Sequence, residues 1–119
     1  IAHYHRLAEG FRAALKALNI KVFTEDKALS NVLTVFYVPD GINPKEIIKE
    51  MVERYGIRIA GGQEQFANSL LRVTTIGNIA ERDIISTVGI LEMMLKEKGA
   101  IKEVGVGVKA AMDYFLNTK

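Results

Sequence analysis

The chain has 119 residues, of which 49% are apolar and 25% are charged, a composition typical of one globular domain with its own core. It has no cysteine, which excludes a disulfide framework, a thiolate zinc site and a cysteine nucleophile from these residues and fits a reducing compartment such as the cytoplasm. The formal net charge of +2 is too balanced to indicate a nucleic-acid partner or an anionic membrane surface, and no apolar run approaches the roughly 18 residues that span a bilayer. Because the chain begins on Ile1 inside a helix-like pattern, we expect it to be a piece of a longer protein.

The first predicted element is a helix over residues 3–18. Its apolar residues recur at spacings of three and four and so share one face: Leu7, Phe11, Ala14, Leu15 and Leu18. Charged residues are predicted to lie mostly on the other side: His3, Arg6, Glu9, Arg12 and Lys16. Asn19, which tolerates the left-handed conformation, is predicted to end the helix. A short extended segment at 21–23 and a polar loop over 24–29 are expected to follow.

Residues 31–38 predict the first strand, because β-branched and aromatic side chains fill both of its faces. Apolar residues on both faces are typical of a strand in the centre of a sheet. The turn residues Pro39-Asp40-Gly41 end the strand.

The next helix carries explicit start and stop signals. Asn43 is a capping residue, Pro44 suits the first helical position, and Glu46 stands where a capping box requires an acid. Gly56 occupies the position of a C-terminal cap. The pattern therefore predicts a helix over 44–55.

Two further strands are predicted at 57–60 and 70–74. The glycine pair Gly61-Gly62 follows the first of them and indicates a bulge or a close approach of the backbone. It is not typical of a phosphate-binding loop, because no helix starts there and the acid Glu64 follows. In the second strand, Arg72 lies on the face opposite its apolar neighbours.

The last third of the chain predicts two helices. Asn78 and Glu81 have the spacing of a capping box, which starts a helix that runs to about Lys98 and stops at Gly99. The final helix is predicted over 106–116. The order α-β-α-β-β-α-α predicts a single α/β domain built as an α+β two-layer sandwich, with split-βαβ character in its middle.

Few residues offer chemistry. His3 and His5 stand two apart on a helix and point to different sides, so they do not chelate one metal. No catalytic triad and no acid pair stands out. Arg72 is the exception, since a guanidinium in an apolar strand must be paired. Two interpretations remain open: an internal ion pair with an acid, or a planar fork aimed at a ligand carboxylate.

Taken together, the segments resemble a known family. The stretch 57–63, then Leu71-Arg72-Val73 and Ile76-Gly77-Asn78, is similar in order and spacing to the C-terminal part of class V aminotransferases. These are fold-type-I enzymes that use pyridoxal 5'-phosphate, and the most similar subgroup contains alanine–glyoxylate, serine–pyruvate and archaeal aspartate aminotransferases. Residues 5–8 and 12–15 also resemble the long helix that leads into the small domain of these enzymes.

The resemblance implies that residues 1–119 form the C-terminal small domain of a longer aminotransferase, with a small, mainly antiparallel sheet covered by helices. In that family a large domain carries the Schiff-base lysine and most contacts to pyridoxal phosphate. No catalytic, cofactor-binding or metal-binding residue is therefore expected here, and the isolated piece is expected to be inactive. Arg72, with Gly77 following it, matches the arginine that binds the substrate α-carboxylate. The whole enzyme would be a cytoplasmic homodimer that transfers an amino group between an amino acid and a 2-oxo acid, with no nucleic-acid or membrane partner.

Two departures from the family pattern concern the amino-acid substrate. Glu64 stands where many relatives have glycine, and Thr75-Ile76 stands where many have His-Met. An alternative interpretation is a free-standing βαββα regulatory domain that binds a free amino acid. RNA binding through the sheet is disfavoured, because the strands lack the basic and aromatic surface it requires.

Overall fold

The computed structural model describes residues 2–23, 33–61, 69–74 and 80–119. Within these ranges the elements follow the predicted order α-β-α-β-β-α-α. The helices are α1 (Ala2–Ala17), α2 (Pro44–Tyr55), α3 (Glu81–Glu97) and α4 (Val106–Asn117), and the strands are β1 (Leu33–Tyr37), β2 (Ala60–Gly61) and β3 (Leu70–Thr74). The predicted fold class, a small antiparallel sheet covered by helices, is confirmed. The loop predicted over 24–29 lies outside the described residues.

The three strands form one sheet in the order β1-β3-β2. β1 and β2 both pair antiparallel with β3, so they run parallel to each other with β3 inserted between them and α2 connecting them. This is the split-βαβ arrangement that the sequence predicted. The prediction that the first strand is central and not at an edge holds only in part, because β3 is the middle strand of the three, while β1 has backbone partners on both sides. On its outer side β1 is joined to the predicted extended segment by an antiparallel bridge between Val22 and Phe36.

Both faces of the sheet carry apolar clusters, which explains the continuous apolar pattern of β1. On the helical side, the main core joins residues of all four helices to the sheet: Leu7, Phe11, Ala14, Leu15, Ile20, Phe36, Ile47, Met51, Leu71, Val73, Ile84, Val88, Leu91, Met94, Leu95, Ala111 and Phe115. On the opposite face, Val35 and Leu70 are buried against Phe23 and Tyr37. The two-sided apolar pattern of β1 therefore reports burial of both faces and not the place of the strand in the order of the sheet.

The ends of α2 follow the sequence signals. The Asn43 side chain accepts a hydrogen bond of 2.9 Å from the Lys45 backbone N–H, and Pro44 is the first helical residue. Gly56 ends the helix in the left-handed region, with φ of 69°, where a side chain would be strained.

The acid at the start of α2 has a different role from the predicted one. Glu46 does not close a capping box, because its carboxylate turns toward the end of α3 and lies 3.6 Å from Lys98 Nζ. The same ammonium lies 3.0 Å from Glu50 Oε2, and this hydrogen bond raises the pKa of Lys98 above its ordinary value. Lys98 therefore joins α2 to α3.

The start of α3 corrects the predicted cap. The predicted cap residue, Asn78, lies outside the described residues, and the helix begins at Glu81 after the cap residue Ala80. A capping box has two hydrogen bonds, and alanine has no side-chain acceptor for the first of them. Only the second is formed: Asp83 Oδ2 accepts the Ala80 N–H at 2.7 Å. The predicted stop is confirmed, since Gly99 follows the helix with φ of 80°.

The contact between α1 and α4 depends on a glycine. Gly10 is buried on α1, and a β-carbon built there would lie 2.4 Å from the ring of Phe115 on α4. Because real β-carbons do not approach that closely, only glycine allows the two helices to pack at this distance.

Arg6 lies off the apolar face of α1, as predicted, but its side chain is half-buried and contacts two other helices. Its guanidinium lies 2.6 Å from Glu81 at the start of α3. It also donates to the backbone carbonyls of Phe115 at 2.6 Å and Thr118 at 3.1 Å, at the end of α4. One side chain therefore joins three helices and satisfies carbonyl groups that a helix end leaves unpaired.

Replacing Arg6 with glutamine is expected to lower the free energy of unfolding by about 2 kcal/mol, because several charge-assisted hydrogen bonds are lost from a half-buried position. Urea unfolding of the 119-residue chain measures the change. The matched control is Arg82→Gln, which removes an exposed arginine from α3 and is expected to have little effect. Equal unfolding midpoints for the two variants would contradict the role assigned to Arg6.

Candidate carboxylate-binding site

Arg72 occupies the centre of the sheet. It lies on β3 opposite Val35 of β1 and Ala60 of β2. It shares the sheet face of Val35, opposite the face on which Leu71 packs into the main core, as the alternation of the sequence predicted. The side chain is half-buried, so its charge requires partners that compensate for lost hydration.

The partner observed for this guanidinium is a backbone carbonyl. Arg72 Nε donates a hydrogen bond of 2.7 Å to the Gly61 oxygen on the neighbouring strand β2. Among the residues that the structure describes, no acid forms an ion pair with Arg72. Of the two interpretations left open by the sequence, the internal ion pair is therefore not found in the described part of the chain.

The hydrogen bond from Arg72 Nε to the Gly61 oxygen determines from which side a ligand can approach the guanidinium. Since Nε is already used, the edge formed by Nη1 and Nη2 is the one that can offer two parallel N–H groups. Two parallel donors match the two oxygens of a carboxylate. The geometry thus suits end-on binding of one carboxylate by Arg72.

Gly61 is itself held by close packing. A β-carbon at this position would lie 3.2 Å from Ile48 Cδ1 on α2, which is tighter than an ordinary contact. The predicted close approach of the backbone at the glycine pair is therefore confirmed for Gly61, whereas Gly62 lies outside the described residues. Packing of α2 against β2 positions the carbonyl that orients Arg72.

Arg72 is one of the residues that line a cavity of about 700 Å³. The cavity lies between β2, β3 and the first turns of α3, and it is lined by residues 56–60, 72–73, 83–84 and 86–87. A second cavity of about 700 Å³ lies beside the end of α1 and does not include Arg72. Because Arg72 lines the first cavity and not the second, we take the first as the candidate site.

Sequence reasoning did not single out Arg58, which lines the same cavity. The available signal was the alternation Ile57-Arg58-Ile59, which places a cation between two apolar residues just before β2. The other positions that bear on the substrate, Glu64 and 75–78, lie outside the described residues.

His3 and His5 are both exposed on α1, and the described residues contain no group of three potential metal ligands. In the same part of the chain, no helix is both long enough and apolar enough to cross a membrane.

Three relatives match most of the chain. A protein of Anabaena cylindrica described as the 42 kDa subunit of a soluble hydrogenase is 36% identical over 96% of the chain. A Methanocaldococcus jannaschii protein described as an uncharacterized aminotransferase is 33% identical over 91% of it, and the serine–glyoxylate aminotransferase of Arabidopsis thaliana is 31% identical over 96% of it. The chain spans 30%, 28% and 29% of these three proteins, respectively, which is under a third of their length. No model of a known protein family matches the chain.

Solved structures support the same relationship. The ureidoglycine–glyoxylate aminotransferase of Bacillus subtilis superimposes with a TM-score of 0.87 at 27% identity, over 97% of this chain and 30% of that one. The pyridoxamine–pyruvate aminotransferase of Mesorhizobium loti shares the fold, with a TM-score of 0.89 over 99% of this chain and 31% of that one. The resemblance inferred from the sequence is confirmed: over nearly its whole length, the chain is similar in sequence and fold to a part of the aminotransferases.

Proposed function

We propose that the chain is the C-terminal small domain of a longer, pyridoxal-phosphate-dependent aminotransferase, and that Arg72 anchors the α-carboxylate of the substrate. The observation that carries the proposal is the state of this side chain: it is half-buried, oriented by the Gly61 carbonyl, and uncommitted to any described acid, and Arg72 lines the cavity. Both substrates of an amino transfer carry a carboxylate next to the reacting carbon. One fixed anchor therefore serves both halves of the reaction.

The residues of this cavity do not fit the cofactor itself. A pyridoxal phosphate site requires a lysine for the Schiff base, and no lysine lines the described cavity around Arg72. The cofactor, which supplies the electron sink for the reaction, would be held by the part of the protein that the longer relatives have in addition. The contribution of this chain is to bind and orient the carboxylate, and the chain alone is expected to be inactive.

The proposal also includes the substrates, the oligomeric state and the cellular compartment of the whole protein. The substrates are an amino acid and a 2-oxo acid, as the names of the related aminotransferases suggest. We further propose that the whole protein works as a homodimer in the cytoplasm, without a nucleic-acid or membrane partner; the nearly balanced charge and the lack of cysteine are compatible with this.

The test is spectroscopic. The full-length protein that carries this chain should purify with the absorbance of an enzyme-bound pyridoxal phosphate, and the band should shift when an amino-acid substrate is added. The 119-residue chain, treated with the cofactor in the same way, is the control and should give no such shift. A full-length protein that neither binds the cofactor nor transfers an amino group would overturn the proposal.

A further inference from the structure

The orientation of Arg72 depends on a very short strand. Arg72 Nε donates its hydrogen bond of 2.7 Å to the oxygen of Gly61, which belongs to the two-residue strand β2. A strand of two residues has few backbone hydrogen bonds of its own, so its packing against α2 decides where the Gly61 carbonyl lies. At this contact, a β-carbon at position 61 would lie 3.2 Å from the terminal methyl carbon of Ile48, Cδ1.

The Ile48 contact lies on the opposite side of the sheet from the Arg72 side chain. Gly61 pairs with Leu71 and faces the helices, whereas Arg72 pairs with Ala60 and faces the other side. Among the described residues, Ile48 Cδ1 is the atom that a methyl group at position 61 would meet, and neither residue lines the cavity. A change at this contact therefore reaches the guanidinium only through the Gly61 carbonyl.

The helix α2 is held more firmly than the strand that packs on it. Ile47 and Met51, which flank Ile48 on the inner side of α2, are fully buried in the main core. Lys98 at the end of α3 holds the same helix from another side, with its Nζ 3.0 Å from Glu50 Oε2. Because α2 is fixed at several points, we expect β2 to be the element that moves when the contact between them becomes tighter or looser.

We propose that Ile48 and Gly61 are positioning residues for carboxylate binding. The Ile48 side chain sets the place of the Gly61 backbone, and the Gly61 carbonyl sets the guanidinium of Arg72. Since φ of Gly61 is not in the left-handed region, glycine is required here for space and not for its backbone conformation. The inference rests on the proposed aminotransferase function, because that function is what places an α-carboxylate at Arg72.

The test moves one methyl group across this contact in the full-length protein. Gly61→Ala adds a methyl and is expected to lower kcat/KM about tenfold for the amino acid and the 2-oxo acid alike, mainly by raising KM, because a displaced guanidinium binds the carboxylate less well. Ile48→Val removes Cδ1, lets β2 approach α2, and is expected to raise KM about threefold for the same reason. The double variant keeps the total volume and is expected to return to within about twofold of the unsubstituted protein.

A binding measurement independent of turnover accompanies the kinetics. Calorimetry of the full-length protein with propionate should show weaker binding in Gly61→Ala and recovered binding in the double variant. A loss of stability alone would lower the unfolding midpoint but would change neither KM nor the affinity of the folded protein for propionate. The matched controls are Gly89→Ala and Ile90→Val on α3, since a β-carbon at position 89 would make an ordinary contact of 3.5 Å with Val108 Cγ2 and neither residue lines the cavity. Both controls should keep the KM of the unsubstituted protein.

The outcomes separate this inference from the proposed function. If Arg72→Gln impairs both substrates while Gly61→Ala keeps its KM, or if the double variant is no better than Gly61→Ala, the positioning role is overturned and the aminotransferase function stands. If Gly61→Ala does not fold, Ile48→Val decides, because an unchanged KM in that variant would also overturn the role. If Arg72→Gln impairs no substrate, the proposed function fails and the inference fails with it. Loss in Gly61→Ala with recovery in the double variant supports both.

Discussion

Replacing Arg72 with glutamine in the full-length protein is expected to lower kcat/KM by about two to three orders of magnitude, for the amino acid and for the 2-oxo acid alike. Each charge-assisted hydrogen bond to the carboxylate contributes about 1.5 to 3 kcal/mol, and a change of about 1.4 kcal/mol corresponds to a factor of ten. Glutamine has one amide in place of the two parallel N–H groups of Nη1 and Nη2. Steady-state kinetics with each substrate varied in turn measures the effect.

Two comparisons show whether the loss concerns carboxylate binding. The kcat/KM of Arg72→Lys should fall between the values of the unsubstituted protein and of Arg72→Gln, because lysine keeps the charge but replaces the two parallel N–H groups with a single ammonium. Arg54→Gln removes an exposed arginine elsewhere in the fold and should leave kcat/KM unchanged. If Arg72→Gln binds the cofactor normally and retains full kcat/KM with both substrates, Arg72 does not anchor the carboxylate.

The candidate site could be predicted only in part, and the missing part has a physical cause. Arg72 was visible because a single cation interrupts an apolar strand, and burial of a charge is costly enough to require a reason. Its observed partner, the Gly61 carbonyl, left no signal, because every residue has a backbone carbonyl and strand pairing decides which one is near. The position of Arg58 in the same cavity likewise depends on how β2 lies against α3.

The fold was predictable where the signal was local. The limits of α2 follow from its capping residues, Asn43 at the start and Gly56 at the end. The position of β1 within the sheet was not local information. Its apolar residues fill two faces because helices cover one face and a smaller cluster covers the other, and this pattern does not show whether a strand has neighbours on both edges.

The partners of charged residues on helices were likewise not predictable from the sequence. The amphipathic pattern of α1 places Arg6 and Arg12 away from its apolar face, which is correct, yet neither is simply solvated. Arg6 reaches two other helices, and Arg12 Nε donates a hydrogen bond of 3.0 Å to the buried hydroxyl of Thr34 on β1. A long side chain can extend from the polar face of one helix to a neighbouring element, and only the arrangement of elements shows where it ends.

The largest effect on stability is expected at Glu92, which no sequence pattern singled out. This residue of α3 is fully buried, and both carboxylate oxygens accept hydrogen bonds from the start of α4. Oε2 accepts the Gly105 N–H at 2.6 Å and the Gly107 N–H at 3.3 Å, and Oε1 accepts the Val108 N–H at 2.9 Å. The cap residue of α4 is Gly105, which has no side chain, so a carboxylate from another helix satisfies these N–H groups and lies at the positive end of the helix dipole.

Glu92→Gln is expected to lower the free energy of unfolding by about 3 kcal/mol, because the amide has one acceptor oxygen, lacks the charge, and turns an NH₂ group toward a backbone donor. Urea unfolding of the chain measures this change. Hydrogen exchange should also locate it, with faster exchange of the Gly105, Gly107 and Val108 amides at the start of α4.

The matched control is the same substitution at the end of the same helix. Glu97 is exposed and pairs with Arg54 at 2.9 Å, so Glu97→Gln loses an interaction that water already screens and should change stability much less. If both substitutions have the same effect on unfolding, and the amides of α4 keep their protection in Glu92→Gln, the buried carboxylate does not cap α4. A selective loss at Glu92 would instead mean that packing of α3 against α4 includes a buried, charge-assisted cap that takes the place of the side chain missing at Gly105.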